Sequence, residues 1–215
     1  MSTDYRFKET DIVVIATDGE KFPFWSDILA ENSQVLAKTF EHKMKEAVDK
    51  RVDLDGTDDE IRQFLAIIHP IKADPITRKN VYIILRLAHT YMCDGLLNRC
   101  LDILEGLHKE NTTITSLVNQ ILDLERWIKV FQQDQKLVER LDEILWNPLL
   151  KISNSTDLDL ANPCVSRLPK DYLVDILVCL YALRKRDTEK VKKKIPPQRN
   201  RLRRDRVQKV ILIDD

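Results

Sequence analysis

Apolar residues in this chain fall into short stripes separated by polar turns, and the spacing of each stripe predicts the element that carries it. A continuous run, Ile12, Val13, Val14 and Ile15, is followed by Asp18-Gly19 and then by Phe22. Glycine accepts the positive φ of a tight turn, so this text predicts a hairpin and a small N-terminal sheet. Beyond it the period becomes helical. Thr57 with Glu60 forms a capping-box pattern ahead of Ile61, Phe64, Leu65 and Ile68, which repeat at i, i+3, i+4 and i+7, and Pro70 stops the helix. Val81, Ile84, Leu85 and Ala88 repeat that spacing, with Gly95 as the expected C-terminal cap; Leu97, Cys100, Leu101 and Leu104 make a further helix.

Two more stripes follow, Leu117, Ile121, Leu124, Ile128 and then Leu137, Leu141, Ile144, Leu145, with Pro148 expected to close the pair. The text SNSTDLDLANP from Ser153 to Pro163 is rich in turn-forming residues and reads as a linker. Pro169 suits a first helical turn, and Tyr172, Leu173, Ile176, Leu177 and Leu180 form the last stripe.

Charge changes this picture at one place. The chain balances 35 Lys and Arg against 35 Asp and Glu. From Arg184 to Val210, however, thirteen basic residues meet three acids, so a +10 segment follows a −10 remainder. Lys192, Lys193, Lys194, Arg201, Arg203 and Arg204 are the candidates to meet nucleic-acid phosphates or an import receptor; a solvated tail resting on its own acidic body is the plainer alternative. No aromatic residue interleaves this run, so base stacking is not encoded there.

Composition removes other classes. No run approaches the ~18 apolar residues of a membrane span, and residues 1–10 lack the apolar segment of a signal peptide. The cysteines Cys93, Cys100, Cys164 and Cys179 contain no C-x-x-C pair, which fits reduced core thiols in the nucleus, the cytoplasm or both. Four glycines could hardly build a phosphate loop, and His42, His69, His89 and His108 are scattered, apart from the single-turn spacing of His42 and Glu46. Asp58, Asp59 and Glu60 are explained by a helix N-terminus. No catalytic residue, metal site or cofactor is expected.

The order of these elements between Phe22 and Leu104 resembles a BTB/POZ domain. Asp11 precedes the first strand, Asp18, Gly19 and Phe22 follow it, and Ile28, Leu29, Ala30, Ser33, Leu36, Thr39 and Phe40 match the family's helix pair. The stretch from Phe40 to Leu54 is similar to the speckle-type branch, sharing Phe40, Glu41, His42, Met44, Glu46, Arg51 and Val52. The resemblance implies an α+β BTB/POZ fold, a helical cluster flanked by a small N-terminal sheet, over residues 7–107. An all-helical extension over 111–150, a linker over 151–168, a helix over 169–183 and a basic tail over 184–215 would follow.

What the resemblance implies about function is protein binding. In adaptors of cullin-3 ubiquitin ligases a hydrophobic-x-Glu motif after the second helix docks the cullin, and Met44-Lys45-Glu46 matches it, with Met44 filling an apolar pocket and Glu46 holding the loop. Expected partners are then a cullin-3 scaffold, a substrate protein of unknown identity and a second copy of the chain as a homodimer. The helical pair after the domain either enlarges the cullin-facing surface or only covers the domain's end. A self-associating nuclear scaffold or transcriptional cofactor is the alternative, but where its branch has a His followed by the basic residue that pairs with the early Asp, this chain keeps Asp11 and has Trp25 and Ser26, and no zinc fingers follow. Other departures are the ten residues before Asp11, which shorten the exchanged N-terminal helix of many relatives, and His69-Pro70-Ile71 in place of aromatic-Thr-Gly, a wording similar to nematode members. No MATH or kelch module is visible. Separately, Val210, Ile211, Leu212, Ile213, Asp214 and Asp215 resemble a SUMO-interacting motif, although a strand pairing within the protein reads equally well.

Overall fold

The alternation of the first apolar run fixes the sheet. In the computed structural model, which describes residues 9–41, 49–110, 113–153, 155 and 163–184, β1 (Ile12–Ile15) turns Ile12 and Val14 into the core and leaves Val13 and Ile15 half-buried. It pairs antiparallel with β2 (Lys21–Phe24), Ile12 opposite Phe24, through a turn in which Gly19 has φ +96°. It also pairs parallel with β3 (Arg51–Asp53), Val14 opposite Val52, giving a mixed sheet of order β2-β1-β3. Pro23 is tolerated because β2 is an edge strand among the described residues and Pro23 needs no N–H for its pairing with Val13.

A parallel pair needs a crossover, and α1 (Ser26–Asn32) and α2 (Gln34–Glu41) lie along it. After β3, α3 (Asp58–Ile67) begins with the expected capping box: the Glu60 N–H donates to the Thr57 hydroxyl and the Thr57 N–H to the Glu60 carboxylate. Gly56 stands close against it: a Cβ there would lie 2.9 Å from Ile61 Cδ1, so a larger residue would make that buried side chain shift. α3 buries Ile61, Phe64, Leu65 and Ile67, and α4 (Val81–Thr90) buries Val81, Ile84, Leu85, Leu87 and Ala88.

α4 does not end as expected. Gly95 lies in the first turn of α5 (Asp94–Glu110), and the left-handed residue that closes α4 is Met92, at φ +51°. The Met92 N–H donates to the His89 carbonyl and the Cys93 N–H to that of Ala88, the paired closure of a Schellman motif. Burial of Tyr91 and Cys93 on either side places the turn there.

The chain divides into two compact units, Met1–Leu104 and Glu105–Asp215. In the second, Thr113 caps α6 (Ile114–Val130), which buries Leu117, Val118, Ile121 and Leu124, and Asp134 caps α7 (Gln135–Ser153), which buries Leu137, Leu141, Ile144 and Leu145. Pro148 does not close this helix, contrary to expectation; it sits inside it. An internal proline costs about 3 kcal/mol, whereas burying Leu149 and Ile152 beyond it returns about 1.5–3 kcal/mol each, so continuing the helix wins.

Part of the stretch 151–168, expected as a linker, is regular structure. Residues 151–153 belong to α7, and Val165–Arg167 form a 3-10 turn that buries Val165 and leads into buried Leu168. In α8 (Lys170–Arg184) the buried face is Tyr172, Ile176 and Cys179, while Leu177, expected in the stripe, is exposed.

Candidate docking surface

Met44 and Glu46 lie outside the described residues, as does all of 42–48; the frame on either side is described. On the near side, Ser33 interrupts two helices and serves both. Its N–H closes α1 on the Leu29 carbonyl, and its hydroxyl accepts from the Leu36 N–H at 3.1 Å, capping α2. The same hydroxyl donates to the Tyr91 carbonyl at 2.6 Å, 58 positions away in the chain. On the far side Lys50, at φ +51°, accepts from the Val13 N–H at 2.9 Å and delivers the chain into β3.

The α4–α5 corner is held to this frame from both sides. The Gln34 amide donates to Asp94 at 2.7 Å, and the Tyr91 hydroxyl accepts from the Asp55 N–H at 2.6 Å. Burial raises the Tyr91 hydroxyl above its ordinary value and pushes the Cys93 thiol up to about 11, so both stay neutral at pH 7. Between them Met92 is 52% exposed. An unbranched thioether presented from a fixed turn is suited to fill a partner's pocket. Its position could not be read from residue types, because nothing local marks a methionine for the left-handed region.

Behind this corner the β1–β2 turn and the start of α3 are tied together. The Gly56 N–H donates to Thr17 Oγ1, the Asp58 N–H to Asp18 and the Glu20 N–H to Asp58. Arg62 pairs with Glu20 and with Asp59 and lies over the Phe22 ring, 5.7 Å from its centroid. Burial pushes the Glu60 carboxyl up, but the Thr57 N–H and the Arg86 guanidinium 2.8 Å away outweigh it and hold the group below its ordinary value.

At Asp11 the departure from the co-repressor pattern has a structural counterpart. The Ser26 N–H and hydroxyl both donate to the Asp11 carboxylate, at 2.8 and 2.6 Å, so Asp11 caps α1 across the sheet edge. Trp25 packs edge-on against Phe24 and His69. His69 Nδ1 accepts from the N–H groups of Ile71 and Lys72, closing the turn beyond α3 that Pro70, without an N–H, cannot close itself.

Lys192, Lys193, Lys194, Arg201, Arg203, Arg204 and the segment Val210 to Asp215 also lie outside the described residues. Among the described residues no group of three or more His, Cys, Asp or Glu could hold a metal ion, and no helix is long and apolar enough to cross a membrane. Residues 4–107 match the family model of the BTB/POZ domain. The chain therefore carries a BTB/POZ domain there, with a small mixed N-terminal sheet, a helical cluster and further helices after it: a protein-interaction module that generally has no catalytic role. No curated protein matches the chain.

Proposed function

We propose that the chain is an adaptor that docks a cullin-3 scaffold through Met44 and Glu46 and holds a substrate protein elsewhere, in the nucleus, the cytoplasm or both. The observation that supports this most is the place of Met44-Lys45-Glu46 in the BTB/POZ domain, between α2 and β3, where the hydrophobic-x-Glu text of cullin-binding relatives falls. Met44 would be the apolar anchor and Glu46 the hydrogen-bonding partner, a division common among interface hot spots. Exposed Met92 belongs to a corner bonded to Gln34 and would extend the same apolar footing.

BTB/POZ domains self-associate in general, and a homodimer of this chain would present two such surfaces. The test is to titrate the full chain into a cullin-3 N-terminal domain by calorimetry and to follow its mass by light scattering. Submicromolar binding by a dimer is expected; absence of heat at tens of micromolar would sink the adaptor reading.

One observation favours a second reading for the tail, a contact with a polyanion. The +10 charge of residues 184–210 would bind by counterion release, so affinity for nucleic acid should fall steeply with salt and vanish on removal of 184–209.

A further inference from the structure

Helix α8 is apolar on more than one face, while the side chains buried among its described residues share a single face. Its text, KDYLVDILVCLYALR, sets Tyr172, Ile176 and Cys179 into the core at 0–3% exposure. One helical turn apart on another face, Val174 and Leu177 are 43% and 48% exposed, and Tyr181 continues their spacing in the sequence. Among the described residues the other large exposed apolar side chains, Ile71, Met92 and Val130, each stand on a different segment, so there α8 alone presents an adjacent pair. A helix that is apolar all round is normally covered all round.

We propose that residues Val210 to Ile213 of the same chain cover this face. In the strongly basic stretch beyond Arg184 they form the one run of four consecutive apolar residues, and exposing Val-Ile-Leu-Ile to water forgoes the stabilisation of burying it. The tether fits. Twenty-five residues, the number between Arg184 and Val210, can reach at most about 80–90 Å, whereas Leu177 lies about 10 Å along the helix from Arg184, so the length of 185–209 permits the contact. A tethered segment meets its site at an effective concentration in the millimolar range, so it outcompetes a second copy present at micromolar concentration. The tether's own lysines and arginines hold it in solvent and near a body of opposite charge, leaving the apolar run to make the contact. In extended form Ile211 and Ile213 share a side, which places two branched side chains against Val174 and Leu177. Docked in this way, the segment is withheld from any other sheet edge or groove, making it an autoinhibitory contact independent of Met44 and Glu46.

The test uses the full chain carrying a photoreactive benzoyl-phenylalanine at position 212. Cross-links within the monomeric fraction should map to residues 170–184; links to other segments, or only between two copies, would overturn the proposal. A second measurement leaves α8 untouched: hydrogen exchange of residues 173–179 in the native chain and in the Ile211→Asp, Ile213→Asp double variant. Exchange about threefold faster or more in the variant is expected, and equal rates would contradict the contact.

Discussion

The two units of this chain are held together in different ways. In Met1–Leu104, side chains satisfy backbone groups far away in the sequence: Thr17 accepts from Gly56, Asp18 from Asp58, Tyr91 from Asp55, and Ser33 donates to Tyr91. In Glu105–Asp215 the starts of α6 and α7 are capped from three residues away, by Thr113 and Asp134, the distant side-chain bonds, Lys151 to the Lys109 carbonyl, Arg167 to Asn119 and Thr115 to Cys164, are exposed, and apolar stripes form the core. Distant bonds give a surface of defined shape, and stripes give helices whose outer faces tolerate change. A docking site belongs on the first kind of unit.

The comparison breaks most easily in the cores, where size alone should decide. Phe64→Ala in the first unit and Leu141→Ala in the second both empty a fully buried site and should cost about 3–5 and 2–5 kcal/mol in urea unfolding. Caps should separate the units. Ser33→Ala removes a helix cap and leaves the Tyr91 carbonyl only the weak Cys93 thiol as a side-chain donor, a loss of about 2–3 kcal/mol, whereas Thr113→Ala removes only a local cap, about 1 kcal/mol. Equal losses would contradict the contrast.

Smaller effects sharpen it. Met92→Gly should stabilise the first unit by about 1 kcal/mol, because glycine fits the left-handed turn without a Cβ penalty, while removing an exposed thioether. Glu60→Gln should lower stability at pH 7 by on the order of 1 kcal/mol or less, seen as a shifted urea midpoint. Since folding depresses the Glu60 pKa, its contribution is present above the usual carboxylate range and is lost as pH falls through the folded value. The gap between native and variant proteins should therefore close on acidification and stay constant between pH 6 and 8.

Local signals made much of the fold legible. The stripe of α3 and its Thr57–Glu60 cap, the Asp18-Gly19 turn, and the α6 and α7 stripes all rest on residues within a few positions of one another. β3 was not legible, because Arg51, Val52 and Asp53 offer one apolar residue and a partner 38 positions away. Glycine favours the left-handed region, which predicts a helix end at Gly95, yet buried Tyr91 and Cys93 put that turn at Met92. Pro148 misled for a related reason: the rule counts a lost hydrogen bond and not the burial of Leu149 and Ile152 beyond it. Of the candidate site, the text Met44-Lys45-Glu46 could be read directly, whereas its frame, Ser33 on Tyr91 and Gln34 on Asp94, depends on bonds that no spacing rule reports.

The most direct test of the adaptor reading is calorimetric titration of the full chain, and of its Met44→Ala, Glu46→Ala double variant, into a cullin-3 N-terminal domain, with circular dichroism as the folding control. The native chain should bind, and the variant should remain folded but lose about 2 kcal/mol or more, roughly thirtyfold in Kd. Equal affinity of the two folded proteins, or no binding by the native chain, would contradict the assignment of Met44 and Glu46 as the docking pair.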